Sequence, residues 1–220
     1  MTTELTHFLS IYSVLLPLLA GLLFFKSQEA NARIMLLLLA FASIPQLASL
    51  FPNPKIKTPL YNLYILIDAV LWGYLFLRNI KIPIIKKAVI AIISIQLFVT
   101  IYVFAVNGIQ NRFYAELICL HSLIQLIWVL LFFYNRYRKE EIQKLEHQSI
   151  FWFCLGILLY APSTYFLFAF YPIIKGNDEY RPIWVAHDLL NTIMYVLFTF
   201  GFIVNIRRLT QNRQDAAVEY

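Results

Sequence analysis

Asp68, Glu116, His121, His187 and Asp188 are ionisable side chains that stand in or beside long runs of apolar residues. A charge in hydrocarbon is tolerated only where it pairs, meets water or gives up its charge. Neutral hydrogen-bonding residues recur around these five at helical spacing. Tyr64, Asp68 and Trp72 are four apart, as are His121 and Gln125, and His187 and Asn191. Residues four apart share one face of a helix, so three helices can each direct a polar stripe at a common centre. Gln46, Ser163, Tyr12 and Tyr160 are further neutral companions. The chemistry this set offers is the binding of a small polar ligand and the movement of a proton. Asp68 is its principal ionisable group, a carboxylate among Tyr, Ile, Leu, Ala and Val that can act as a protonation switch. Tyr64 supplies a phenol one turn before it and Trp72 a flat apolar wall one turn after. His187 and Asn191 lie at similar depth on span seven, so a charged or hydrogen-bonded pairing across the bundle is geometrically possible. Glu116 and Asp188 complete the candidate ligand-binding or proton-coupling set. No His-x-x-x-His or Glu-x-x-His pair occurs in any apolar run, so neither a metal nor a cofactor is expected.

The elements that must position these groups follow from composition. Apolar residues make up 60% of the chain and charged residues 14%, too few charges to cover a soluble domain of 220 residues. The apolar runs are about 19–25 residues long, which as helices cross a bilayer core. They cover 7–25, 32–51, 59–78, 88–106, 113–134, 150–171 and 182–206. None shows the short alternating segments of a membrane β-barrel. The expected fold is therefore an all-α membrane protein, a seven-helix bundle over 1–206 with a cytoplasmic tail at 207–220. The net charge of +6 does not suggest nucleic acid, since the charges cluster in short connections between apolar runs, and the lipid bilayer is the expected partner. Cys119 and Cys154 fall inside spans and read as packing thiols.

Orientation follows from the Lys and Arg count in the connections. The connections after spans one, three and five and the tail hold 13 of the 18, and the remaining connections hold 5. This places the N-terminus outside and the C-terminus in the cytoplasm, in a cytoplasmic (inner) membrane. The first span has no preceding Lys or Arg and does not read as a cleaved signal peptide. In this orientation Asp68, His121 and His187 lie roughly 8–15 Å below the outer surface, at 1.5 Å per residue. Gln46 and Ser163 lie at matching depth, Glu116 is shallower, and the inner halves read as nearly pure Leu, Ile, Val and Phe. The expectation is an outward-open polar pocket over an apolar floor.

The segment 135–148 has helix-forming composition and a Glu140–Lys144 pair, so span five is expected to continue as a helix into the cytoplasm. It is a solvated connector near lipid headgroups or a docking site for a cytoplasmic protein. An internal repeat is also suggested. LLFF closes span one (22–25) and span five (130–133), and Pro45 and Pro162 occupy matching depths of spans two and six. That gives two three-helix units joined by span four, a 3+1+3 arrangement.

The runs IYS (11–13), YILID (64–68), FWFCLGILLY (151–160) and WVAHDLLN (184–191) carry a resemblance over the whole chain. The chain resembles an uncharacterised family of seven-helix membrane proteins associated with Bacteroidetes-type bacteria. Asp68 stands where that pattern has Glu. The resemblance implies fold and topology and no activity. Pro45-Gln46 is similar to the Pro-Gln pair of PQ-loop and SWEET-type transporters, which share the 3+1+3 arrangement, although span six carries Pro162-Ser163 instead. Microbial rhodopsins are similar only in helix count, since span seven has no Lys for a retinal Schiff base. Zinc hydrolases of the alkaline-ceramidase and adiponectin-receptor type carry paired His on the last span, where this chain has His187 alone.

Two functions from different classes fit these features. One is transporter-like binding or translocation of a small solute, proton-coupled through Asp68; the six Gly are few for a rocking transporter. The other is a sensory or accessory subunit that reads a ligand in the outer pocket and signals to a cytoplasmic partner. A lipid-modifying enzyme ranks last.

Overall fold

The computed structural model describes residues 2–51, 53–110, 112–137, 145–174 and 178–218, and among them every regular element is helical. The helices are α1 (Thr2–Ser13), α2 (Leu15–Leu23), α3 (Ala30–Ala48), α4 (Pro54–Asn79), α5 (Pro83–Asn107), α6 (Ala115–Tyr137), α7 (Ser149–Ala169), the single turn α8 (Tyr171–Ile174) and α9 (Arg181–Val218). Seven stretches are long and apolar enough to cross a membrane. They are Glu4–Leu23 through α1 and α2, the whole of α3, α5, α6 and α7, Lys55–Asn79 in α4 and Arg181–Arg207 in α9.

Helix ends depart from the hydropathy pattern for local reasons. α4 and α5 begin at Pro54 and Pro83, ahead of the expected 59 and 88. Proline at a first helical position has its φ preset and no N–H to leave unpaired, and the Asn53 side chain caps α4 by accepting from the Lys55 N–H at 3.0 Å. α9 continues unbroken past 206 to Val218. α6 closes at Tyr137, and residues 138–144, half of the segment expected to contact a partner, lie outside the described residues. The first span breaks at Val14 because Pro17 has no N–H to donate to Ser13 one turn back.

Six of the spans form a ring. The first span packs on α3 and α9, α3 on α4, α4 on α6, α6 on α7, and α7 on α9. α5 lies outside this ring against α4 and α6, and it buries only Val89, Gln96 and Thr100. Its entry into α6 is fixed by Gly108, whose φ of 78° suits a residue without Cβ, and by Asn62 of α4. The Asn62 amide donates to the carbonyls of Ile109 and Arg112 at 2.8 and 2.9 Å.

The waist of the ring is filled with aromatic side chains. Trp72, Phe76, Trp128, Phe132, Phe153, Phe198 and Phe202 are fully buried there. Phe76 lies 5.7 Å from both Trp72 and Trp128, and Phe153 lies 5.8 Å from Phe198 and 5.4 Å from Phe202, between ring centroids. Beyond this plug, at the end where α4 closes and α7 begins, the interior becomes polar again. Of the residues concerned, only Asn205 falls inside an expected span; the others stand at the ends of spans or in the connections between them. The Asn205 amide of α9 donates to Gln28, and the Ser149 hydroxyl of α7 donates to Glu29. Asn31 and Asn79 of α4 exchange amide hydrogen bonds at 3.0 and 3.2 Å. The segment from Gln28 to Asn31 thus ties three different spans together. Gln28, Glu29 and Asn31 stand in the polar connection between the first two expected spans, where hydropathy marks a loop and gives no sign of contacts between helices.

Candidate functional site

On the other side of the aromatic plug, where α1, α4, α6 and α9 begin, the ring encloses a cavity of about 900 Å³. Its deep part is organised by Asp68, which is 4% exposed. The Tyr64 hydroxyl donates to Asp68 Oδ1 at 2.8 Å, one helical turn away as the spacing predicts. His121 Nε2 donates to Oδ2 at 2.5 Å, and the Gln125 amide donates to the same oxygen at 2.9 Å. The stripe on α6 therefore closes on the stripe on α4. The partner of Asp68 is His121. The pairing with His187 or Asn191 that their depth allows is not formed, because both are engaged elsewhere.

The other imidazole nitrogen is held by a residue that the sequence reading missed. Gln96 of α5 donates from Nε2 to His121 Nδ1 at 2.6 Å, and its Oε1 is buried with no hydrogen-bond partner among the described residues. In this arrangement the imidazole holds one proton, on Nε2. Turning the amide over presents Oε1 to Nδ1, where it accepts from an imidazole holding two. Gln96 can thus accommodate either state of the ring. A glutamine on an otherwise lipid-facing helix was the available signal. Span four carries no Asp, Glu, His, Lys or Arg within its apolar run, so nothing else there drew attention to it.

A second polar group binds the first span to its neighbours. The Ser10 carbonyl, just before the break at Val14, accepts from Gln46 at 3.2 Å and from Asn191 at 3.4 Å. Asn191 also donates to the Ser10 hydroxyl at 2.8 Å. Nearer the rim, His7 and Asp188 pair at 3.3 Å, the histidine largely exposed. His187 contacts the Ser163 hydroxyl at 3.4 Å and lies 5.2 Å from the Tyr160 ring. The hydroxyls of Ser163 and Thr164 donate to the Tyr160 carbonyl within the turn that holds Pro162. Such bonds stabilise a proline-containing membrane helix.

Eight of the nine candidate residues line this one cavity: Gln46, Tyr64, Asp68, His121, Gln125, His187, Asp188 and Asn191. Glu116 does not. Its side chain is 65% exposed and pairs with Arg112 at 3.1 Å, because the first turn of α6 turns it away from the ring. Among the companions, Tyr160 lines the cavity. Tyr12 instead points outward, stacked on Phe8, and Ser163 faces an apolar groove between α7 and α9. Ser10 and Gln96 join the site unforeseen, and Tyr195, one turn beyond Asn191, also lines the cavity.

Lys57 and Arg181 line the same cavity with Glu4, at the beginnings of their helices. Among the described residues no three His, Cys, Asp or Glu side chains are grouped to hold a metal ion. The arrangement can bind a small molecule against a hydrogen-bonded carboxylate and can store a proton on the Asp68–His121 pair. No protein-family model, no curated protein and no solved structure matches the chain.

Proposed function

We propose that this chain binds or translocates a small solute through the cavity, with the Asp68–His121 pair changing its protonation as the cavity fills. The observation that carries this reading is the hydrogen-bonded Asp68 carboxylate opening onto a cavity of about 900 Å³ inside a ring of membrane-length helices. That volume lies within the range of small-molecule sites. A buried acid with a titratable partner and an adaptable amide behind it is what proton coupling requires.

The charge bias of the connections supports an orientation with the cavity on the outer side of a cytoplasmic membrane. The aromatic plug and the polar ties beyond it then close the inner side. The placement of α5 outside the ring, packed on α4 and α6, is consistent with two three-helix units joined by a linker helix. Pseudo-symmetric halves and interrupted helices are common in secondary transporters.

The test is solute-dependent proton movement in proteoliposomes loaded with a pH-sensitive dye. The panel comprises amines, amino acids, sugars and carboxylates. Wild type should respond to at least one class and Asp68→Asn to none, with both proteins inserted equally. A response of Asp68→Asn equal to wild type removes the role of Asp68.

A sensory or accessory subunit is the second reading. It is favoured by α9, which continues as a helix from Arg207, where the membrane-length stretch ends, to Val218. That extension would give a cytoplasmic protein partner a surface, as would the segment 135–148. A wild-type protein that binds a panel member without moving protons, and that co-purifies with a soluble partner only when 208–220 are present, would favour this reading.

A further inference from the structure

We infer that the ligand of the deep cavity is an organic cation, an ammonium group carried on a compact apolar or aromatic body, which exchanges with a proton at Asp68. This rests on the reading of the cavity as a solute site and names the chemistry of the solute.

The first ground is the distribution of charge. Below the rim, Asp68 is the one carboxylate that lines the cavity among the described residues, and none of their Lys or Arg side chains joins it there. Lys57 precedes it by 11 residues on the same helix, about 16 Å at 1.5 Å per residue. Arg181 stands 14 residues before Tyr195 on α9, about 21 Å by the same measure. With His121 holding one proton, the Asp68, His121, Gln96, Gln125 and Tyr64 cluster carries one negative charge. A buried net charge is costly unless compensated. One positive charge restores neutrality, and it can arrive as a proton or on a ligand.

The second ground is the acceptor capacity of the carboxylate. Two carboxylate oxygens offer about four acceptor positions. His121 and Gln125 use two on Oδ2, and Tyr64 uses one on Oδ1. One position on Oδ1 is left for an N–H donor in the cavity that Asp68 lines.

The third ground is the wall. Tyr64, Trp72, Tyr160, Tyr195 and Phe198 line the cavity from α4, α7 and α9. Phe198 lies 6.3 Å from Trp72 and 6.0 Å from Tyr195, with interplanar angles of 49° and 83°. Ring faces attract cations through their quadrupole and bury apolar surface at the same time. An anion would meet a carboxylate and the negative faces of these rings. A neutral sugar would leave the cluster charge uncompensated.

Exchange with a proton involves a defined set of groups. The titratable side chains facing Asp68 are Tyr64 on its own helix, His121 from α6, Tyr160 from α7 and Tyr195 from α9, and Tyr61 of α4 and His187 of α9 line the same cavity. α5 brings the non-titrating Gln96, and α3 lines the cavity with Leu38, Leu39, Ala42, Pro45 and Gln46. The first span places Ser10 in the cavity wall and its titratable Glu4 and His7 at the rim, where His7 pairs with Asp188. Binding of an ammonium group displaces the proton held by the Asp68–His121 pair, which leaves with bulk water.

The experiment uses the purified full chain in detergent and three probes with one phenyl body: 2-phenylethylammonium, 2-phenylethanol and 3-phenylpropanoate. Calorimetry in two buffers of different ionisation heat gives affinity and proton count together. The cation should bind at least ten-fold more tightly than either other probe, and should weaken as pH falls. Proton release per cation should approach one under acidic conditions, where the pair carries its proton. Asp68→Asn should lose both cation binding and proton release. Glu116→Gln, which removes an exposed acid outside the cavity, should change neither. Because Asp68→Asn could perturb folding, the ranking of the three probes on wild type is an independent criterion. Tightest binding of the alcohol or the carboxylate overturns the cation assignment. If that binding moves a proton only when Asp68 is present, the coupled-cavity reading survives. Equal cation affinity of wild type and Asp68→Asn overturns both. Failure of all three probes overturns the cation class and leaves the coupled-cavity reading to the broader solute panel.

Discussion

The two ends of this bundle use the same kinds of polar residue to opposite effect. Around the segment from Gln28 to Asn31, amide and hydroxyl groups close on one another between helices, as in the reciprocal pair of Asn31 and Asn79. Around Asp68, hydrogen bonds also form, but the helices diverge enough to leave a cavity, an unused acceptor position and an adaptable glutamine. Polar groups that satisfy each other fix helix positions. Polar groups held by their neighbours but facing a void are prepared for something else. The distinction lies in the spacing of the helices, since Asn, Gln, Ser and an acid occur at both ends.

The comparison can be broken first at Asp68. Asp68→Ala strands the buried donors of Tyr64, His121 and Gln125 and is expected to lower stability by about 3 kcal/mol. Unfolding in mixed micelles with sodium dodecyl sulfate would measure it, and a loss below about 1 kcal/mol would mean the cluster contributes little to the fold. Gly201→Ala probes the other end. An added Cβ would stand 2.5 Å from the Phe153 ring and 3.1 Å from the Ser149 carbonyl, next to the tie with Glu29. Overpacking there is expected to cost about 2 kcal/mol in the same assay while leaving the cavity chemistry intact. An unchanged melting curve would show that the two helices separate easily at that end.

Asn79→Ala removes the exchange with Asn31 and a bond to the Leu75 carbonyl. Hydrogen bonds between membrane helices are individually modest, so a loss of about 1 kcal/mol is expected. Proton coupling should persist, and its disappearance would mean that the two ends are not separable. The smallest effect is expected for Glu116→Gln. Both side chains of its pair with Arg112 are more than half exposed, so stability should change by about 0.3 kcal/mol or less. A thermal shift of several degrees would place Glu116 in a structural role that its exposure does not suggest.

Much of the site was legible from helical spacing. Tyr64 and Asp68 were expected to share a face and do so with a direct hydrogen bond. His121 and Gln125 were expected to share another, and both reach the same carboxylate oxygen. Gln96 escaped because a single glutamine in a lipid-facing helix has no periodic partner. Ser10 escaped because its carbonyl shares the role with its hydroxyl, and a backbone acceptor has no sequence signature. Glu116 misled because depth along a chain does not reveal which way a first-turn residue points.

Length, apolar run and i,i+4 spacing therefore determined the seven membrane-length helices and which polar groups could act together on each. These are properties of one helix at a time, set by rise, pitch and hydrophobic burial. Only the tertiary structure decided that Asp68 pairs with His121, that α5 stands outside a ring of six, and that one polar end closes while the other keeps a cavity. Those outcomes depend on how far apart helices settle and how each is rotated about its axis. Side-chain packing between helices distant in sequence sets both, and no local pattern records it.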